Sequence, residues 1–195
     1  MKKEDKYPIF DDIPEIFWSD LEQKPFQNCI NCQSELFHGN VPYMIEKAVR
    51  GFDGEKIKVT IFEYAVCVSC AAQMQLKLSL ESRTNIAAFF NSNVDFTQRL
   101  KDLEDAPRAA WLGKCLLRNE PIDEKEEYQL YALCHGNQII YKEYPYLISG
   151  KAIDKMIDLI SAKTMEQLDK FKDDLFGGPP ELKELFDKAG PRILL

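Results

Sequence analysis

Residues 56–72, KIKVTIFEYAVCVSCAA, decide how we interpret the fold. From residue 56 to residue 61, lysine and threonine alternate with isoleucine and valine, a period of two that is typical of a half-buried β-strand. The run ends on Cys67-Val68-Ser69-Cys70, after which no Pro or Gly occurs before Pro107. The sequence therefore predicts a strand that leads directly into a helix, with two cysteines at the junction.

The residues upstream of this strand complete a hairpin and supply a second pair of cysteines. Residues 41–50 are the matching arm, joined to residues 56–66 by the Gly-bearing connection Gly51-Phe52-Asp53-Gly54-Glu55. Before the hairpin, Cys29-Ile30-Asn31-Cys32 has the same spacing as the later pair, and 34 residues separate the two pairs. A two-residue gap lets both sulfurs of a pair reach one ion at about 2.3 Å, and two pairs complete a tetrahedral shell.

We therefore predict that Cys29, Cys32, Cys67 and Cys70 bind one Zn²⁺ per chain, and iron fits the same ligands. A helix N-terminus favours the thiolate form at the second pair, where Val68 and Ser69 are expected to donate backbone hydrogen bonds to sulfur. The alternative is a thiol-disulfide oxidoreductase that uses Cys67 and Cys70, with Pro145 as a neighbouring proline. That alternative leaves Cys29 and Cys32 idle, and no βαβ unit precedes the motif.

The order of knuckle, β-hairpin and helix start resembles the treble-clef class of zinc-binding modules, over roughly residues 26–90. The resemblance implies that Cys29 and Cys32 form the knuckle and that Cys67 and Cys70 lie at the start of the helix. The class includes nucleic-acid binders, nucleases, ribosomal proteins and protein-interaction modules. It therefore implies a metal and a fold, but no particular function.

The other cysteines and the two histidines are weaker candidates. Cys115 and Cys134 lie among apolar residues, which predicts core packing. His38 follows the first knuckle and could replace a cysteine ligand or act as a nuclease base, whereas His135 closes a strand. A treble-clef nuclease requires a histidine in the hairpin, and residues 41–66 contain none. No complete catalytic constellation is present, and we expect a protein that is not an enzyme.

The fold class that we predict is α+β, in three segments. Residues 1–27 form an irregular arm, residues 28–118 the zinc module with a helical extension, and residues 119–195 a C-terminal hairpin plus helices that share one core with the rest. Pro107 predicts a helix over residues 109–117. The C-terminal signals are a hairpin over residues 128–144 around Gly136-Asn137, a helix over 153–160, a capping box from Thr164 to Gln167, a stop at 177–180 and a short helix near 182–186.

Composition limits the function classes. Of 195 residues, 45% are hydrophobic and 29% charged, and 25 basic against 32 acidic side chains give a net charge of −7, to which four thiolates and one Zn²⁺ add about −2. Such a chain is expected to bind duplex DNA poorly. It shows no signal peptide and no membrane-spanning run, so we expect a cytoplasmic protein away from membranes.

The function that we expect is a non-catalytic, zinc-stabilised protein that acts through contacts with an unidentified protein partner. The first alternative is a nucleic-acid-binding zinc protein. It would use local basic residues, which lie on the hairpin and on the following helices: Lys47, Arg50, Lys56, Lys58, Lys77 and Arg83. The second alternative is the oxidoreductase.

Overall fold

The computed structural model describes residues 7–51, 58–123 and 126–176, with side chains up to residue 170. A six-stranded antiparallel sheet forms its centre. The strands follow the order β1-β5-β4-β2-β3, and β6 also pairs with β4. Their bounds are β1 Ile9–Asp12, β2 Tyr43–Gly51, β3 Lys58–Cys67, β4 Glu127–His135, β5 Gln138–Tyr141 and β6 Tyr146–Ser149.

Five α-helices accompany the sheet within the described part of the chain. They are α1 Val68–Lys77, α2 Leu80–Asn93, α3 Phe96–Leu103, α4 Gly150–Ile157 and α5 Ala162–Phe176. Side chains cap the starts of α2 and α3, because Ser79 accepts a hydrogen bond from the amide of Ser82 and Asp95 accepts one from the amide of Gln98. The mixture of helices with an antiparallel sheet confirms the coarse fold prediction.

The first predicted hairpin is confirmed as β2 and β3. The two strands pair from Tyr43 opposite Cys67 to Gly51 opposite Lys58, with an irregularity between Ala48 and Val49. On its other side β2 pairs with β4 over almost its whole length. Of the predicted connection at residues 51–55, Gly51 is the last residue of β2, and residues 52–55 lie outside the described residues. Within the described residues the hairpin therefore lies at one end of the sheet, with β2 inside and β3 as the edge strand that leads into α1.

The structure differs from the sequence predictions in the N-terminal segment and after Pro107. Ile9–Asp12, within the segment predicted to be an irregular arm, form strand β1 against β5. The predicted helix over residues 109–117 is wrong: Arg108–Leu112 form one 3₁₀ turn, after which Leu116 donates its amide to the Leu147 carbonyl at 2.9 Å. Strand-like pairing with β6 thus takes the backbone groups that a helix would need.

The C-terminal predictions hold in part. The hairpin around Gly136-Asn137 is confirmed as β4 and β5, and α4 covers the first part of the predicted 153–160 helix. Thr164 is not the cap of α5, since its amide donates to the Ser161 hydroxyl at 3.4 Å and it lies inside the helix. The predicted stop at 177–180 and short helix near 182–186 lie outside the described residues.

Candidate metal centre

The structure brings all four predicted ligands together. The Sγ atoms of Cys29, Cys32, Cys67 and Cys70 lie within 4.8 Å of one another, and those of Cys32 and Cys67 are 3.9 Å apart. A tetrahedron with metal–sulfur distances of about 2.3 Å has sulfur–sulfur edges of about 3.8 Å. The cluster therefore has nearly the size that one zinc or iron ion requires.

The first pair lies in a tight turn over residues 28–35, which we call the knuckle. Cys29 donates its amide to the Ser34 carbonyl, and its own carbonyl accepts from the amide of Gln33, both at 2.9 Å. Gln33 has a left-handed backbone with φ of 60°, and Asn28 pairs with Glu35 across the turn. This reversal brings the two sulfurs of the pair close enough to reach one ion.

The second pair lies where β3 becomes α1. Cys67 is the last residue of β3 and the N-cap of α1, and Cys70 is in the first helical turn. The amide of Cys67 donates to the Cys29 sulfur at 3.4 Å. The expectation for Val68 is wrong, because its amide donates to the Pro42 carbonyl at 3.0 Å. The strand-to-helix junction thus places two sulfurs and one sulfur-directed amide at the cluster.

Two side chains that sequence reasoning did not single out also contact the sulfurs. The Asn31 amide donates to the Cys70 sulfur at 3.3 Å, and the Ser34 hydroxyl lies 3.1 Å from the Cys32 sulfur. Such contacts orient metal ligands and reduce the charge that they carry. Their signal in the sequence is weak: a polar residue inside the first Cys-x-x-Cys and another two positions after it.

The four ligands differ in exposure. Cys29, Cys67 and Cys70 are buried, whereas Cys32 is exposed. Hydrogen bonds from Ser34, first from its side chain and then from its backbone, together with one from Cys29, lower the pKa of Cys32 to about 6. The Asn31 hydrogen bond favours ionised Cys70, but burial and the neighbouring sulfurs outweigh it and raise the pKa of Cys70 to about 12. Sulfurs this close resist joint ionisation, and a divalent cation removes that resistance.

The remaining cysteines and histidines lie outside this cluster. Cys115 is buried and its sulfur accepts from the Ser149 amide and hydroxyl at 3.3 and 3.4 Å, and Cys134 is completely buried. The ring of His38 packs against Phe37 with centroids 4.8 Å apart, and His135 Nε2 lies 3.3 Å from the Asn40 carbonyl oxygen. Within the described residues, the only group of metal-ligating side chains is the four-cysteine cluster.

Two basic residues of the hairpin are engaged in ion pairs, which the sequence did not reveal. Lys47 is 3% exposed, and its ammonium group lies 2.6 Å from Asp20 and 3.2 Å from Glu63. Arg50 forms an ion pair with Glu127 at 2.7 Å. Lys56 lies outside the described residues. These pairs neutralise cationic charge on the hairpin and connect it to neighbouring segments.

Comparison with known proteins adds no family: no family model, no curated protein and no solved structure matches this chain. Among the helices that the structure describes, none has the length and apolar character needed to cross a membrane.

Proposed function

We propose that the four cysteines bind one structural Zn²⁺ and that the knuckle, the β2–β3 hairpin and the start of α1 form a treble-clef-type module. The observation that carries this proposal is the approach of the four sulfurs to within 4.8 Å of one another. The order of elements around them, with one pair in a turn and the other at a helix start, supports the same module. Zinc is the ion that four thiolates in a closed tetrahedral site most often hold in proteins.

The protein acts without catalysis, through contacts with another protein in the cytoplasm. Four cysteine ligands fill the coordination shell of the ion, which leaves no position for a substrate or an activated water. A metal held in this way contributes its binding free energy to folding. The metal therefore stabilises the surface around the knuckle, and the protein acts through the contacts made there.

Two observations favour this function over its alternatives. Nucleic-acid binding needs unpaired cations on one face, and Lys47 and Arg50 are each paired with carboxylates. A dithiol oxidoreductase forms its disulfide within one Cys-x-x-Cys, whereas the 3.9 Å sulfur contact joins Cys32 of one pair to Cys67 of the other.

The deciding experiment is elemental analysis of the purified chain together with three activity measurements. We expect about one zinc ion per chain, no iron, no disulfide reductase activity and no duplex DNA binding tighter than about 10⁻⁴ M at physiological salt. The chain with Cys67→Ala should lose the metal. Full metal content in that variant, or reductase activity that disappears with it, would contradict the proposal.

Interaction with a protein needs its own measurement. The full chain, loaded with zinc, is cross-linked in extracts of its source cells, and specific partners are identified by mass spectrometry. The matched control is the Cys67→Ala chain, in which the knuckle is released. We expect a partner that cross-links to residues near the knuckle and is lost with the metal. If the same partners are found with and without the metal, the interaction does not depend on the zinc module, which would contradict the proposal.

A further inference from the structure

A cavity of about 420 Å³ lies between α1, α2, α3 and the segment that leads into β6. Its volume falls within the range of about 300–1,000 Å³ that is usual for small-molecule sites. Its wall is mostly apolar. The apolar side chains come from four elements: Leu78, Ile86, Ala87, Phe90, Phe96, Tyr144 and Tyr146. None of them belongs to the metal cluster.

One stripe of α2 supplies both the apolar wall and the charge. Arg83, Ile86, Ala87 and Phe90 recur at the three- and four-residue spacing that puts side chains on one helix face. Opposite this stripe, the rings of Tyr144 and Tyr146 stack with centroids 4.9 Å apart. The wall of the cavity is thus mostly aromatic and aliphatic, and its polar side chains are Gln75, Arg83 and Glu143.

Arg83 is half-buried, and its Nε atom is buried without a hydrogen-bond partner. No carboxylate of the described residues forms an ion pair with it, whereas Arg50, Arg108 and Arg118 each pair with one. A charged donor that is withdrawn from water without an acceptor costs free energy. A ligand that supplied the acceptor would recover this cost, and a carboxylate fits a guanidinium best because it accepts two parallel hydrogen bonds.

A carboxylate, Glu143, also lines the cavity and would repel an anionic ligand. Glu143 lies in the wall, but its side chain is 45% exposed and pairs with Lys142 at 3.3 Å. Solvent and that lysine screen its repulsion, whereas Arg83 has no counter-ion among the described residues. The electrostatic balance of the cavity therefore favours an anionic group on the Arg83 side.

We propose that this cavity binds a small organic acid: a carboxylate that pairs with Arg83, joined to an apolar aryl or acyl body that packs against Phe90, Phe96 and the stacked tyrosines. The site is separate from the four cysteines and independent of the function assigned to them. Aromatic acids and fatty acids both have a carboxylate and an apolar body, and the experiment distinguishes between them.

The test is calorimetric titration of the full, metal-loaded chain with 2-naphthoate, decanoate and the neutral analogue 2-naphthylmethanol. We expect one of the two acids to bind at one site per chain. The neutral 2-naphthylmethanol should bind at least about tenfold more weakly than 2-naphthoate, because it lacks the charge-assisted pair. The substitution Arg83→Gln should weaken binding of the acid by about the same factor. The matched control is Lys77→Gln, which removes one positive charge from α1 outside the cavity and should leave affinity unchanged.

A second variant guards against a general loss of structure. Ala87 lines the cavity and is exposed, so Ala87→Phe should fill the space while keeping Arg83, and should abolish binding with little change in thermal unfolding. The proposal is overturned if neither acid binds the wild-type chain. It is equally overturned if either Arg83→Gln or Ala87→Phe binds the acid as the wild type does.

Discussion

The knuckle and the β4–β5 hairpin are both tight reversals of the chain, but they are held by different forces. In the knuckle, residues 28–35, Cys29 is the single buried residue. In the β4–β5 hairpin, Cys134, Ile139 and Tyr141 are at most 2% exposed and belong to the main core. A segment with so few apolar contacts cannot be kept in place by the hydrophobic effect. We therefore expect the knuckle to depend on metal binding by its sulfurs, whereas the hairpin depends on the core.

The largest expected effect is removal of the metal. A structural zinc site contributes an apparent binding free energy of about 10–16 kcal/mol, comparable with or above the net stability of a domain. Chelation should therefore release the knuckle, and the amides of Cys29, Gln33 and Leu36, which donate within or beside it, should lose protection from hydrogen exchange. Amides of β2 and β4 should remain protected, because β2 is paired on both sides within the sheet.

The variant Cys67→Ala should reproduce the effect of chelation. Knuckle amides that stay protected after the metal is gone would show that contacts other than sulfur hold this turn. Loss of protection across the whole sheet would show that the metal stabilises both regions alike. Either result would break the comparison.

The reciprocal change is Ile139→Ala in the β4–β5 hairpin. Ile139 is completely buried, and truncation of such a side chain costs about 2–5 kcal/mol. Urea unfolding should show this loss, while elemental analysis should still find one metal ion per chain. A variant that loses its metal under native conditions would mean that the two regions do not act separately.

A smaller effect is expected for Cys134→Ala. This cysteine is completely buried, and burial raises the pKa of its thiol far above the ordinary range, so it stays protonated and packs as a small apolar group. The change should lower the free energy of unfolding by about 1 kcal/mol, with metal content unchanged. Comparison of Cys134→Ala with Cys67→Ala distinguishes the loss of a metal ligand from the loss of a buried sulfur that binds no metal. Metal loss in both variants would contradict the four-ligand assignment.

The smallest effect concerns the loop that carries Asp20, which is held by an ion pair with Lys47 and not by a metal or by the core. Burial alone would raise the pKa of Asp20, but hydrogen bonds from Lys47 and Thr60, together with the charge of Lys47, lower it below 3.8. A lowered folded-state pKa means that the stabilisation is complete above about pH 4, the unfolded value, and is lost as the pH falls through the folded value. Asp20→Asn should cost at most about 1 kcal/mol at pH 7, since this carboxylate is half-exposed.

This last prediction is checked by urea unfolding of the wild type and Asp20→Asn at pH 7 and pH 3. The difference between the two proteins should shrink at the lower pH. A difference that grows on acidification would have the wrong sign for a lowered pKa.

The sequence was sufficient where the signal is local. The period of two from residue 56 to residue 61 predicted β3, and the repeated Cys-x-x-Cys predicted the cluster, because each depends on residues close together in the chain. The sequence was insufficient where a distant segment decides. Strand β1 exists because β5 offers an edge about 130 positions later. Likewise the 3₁₀ turn ends where the backbone pairs with β6, although residues 109–117 are compatible with a helix.

The candidate sites show the same difference between local signals, which the sequence reveals, and contacts with distant segments, which it does not. The four ligands could be named from spacing, but Asn31 and Ser34 could not, since nothing local distinguishes a sulfur contact from an ordinary turn residue. The pairing of Lys47 with Asp20 and Glu63 was hidden for the same reason, and it removed the residue from the basic face that the sequence suggested. Arg83 likewise looked like a surface cation until α2 placed it against a cavity.

The central position of β2 has a consequence for synthesis of the chain. β2 is complete at Gly51 and can pair with β3 once Cys67 has emerged, but its other partner, β4, begins at Glu127. At translation rates of about 5–20 residues per second, the second edge of β2 stays open for about 3–12 s. An open strand edge is a template for pairing with other chains. All four clustered cysteines are therefore synthesised before the sheet closes. Crowded nascent chains on one messenger are where misassembly of this protein should begin.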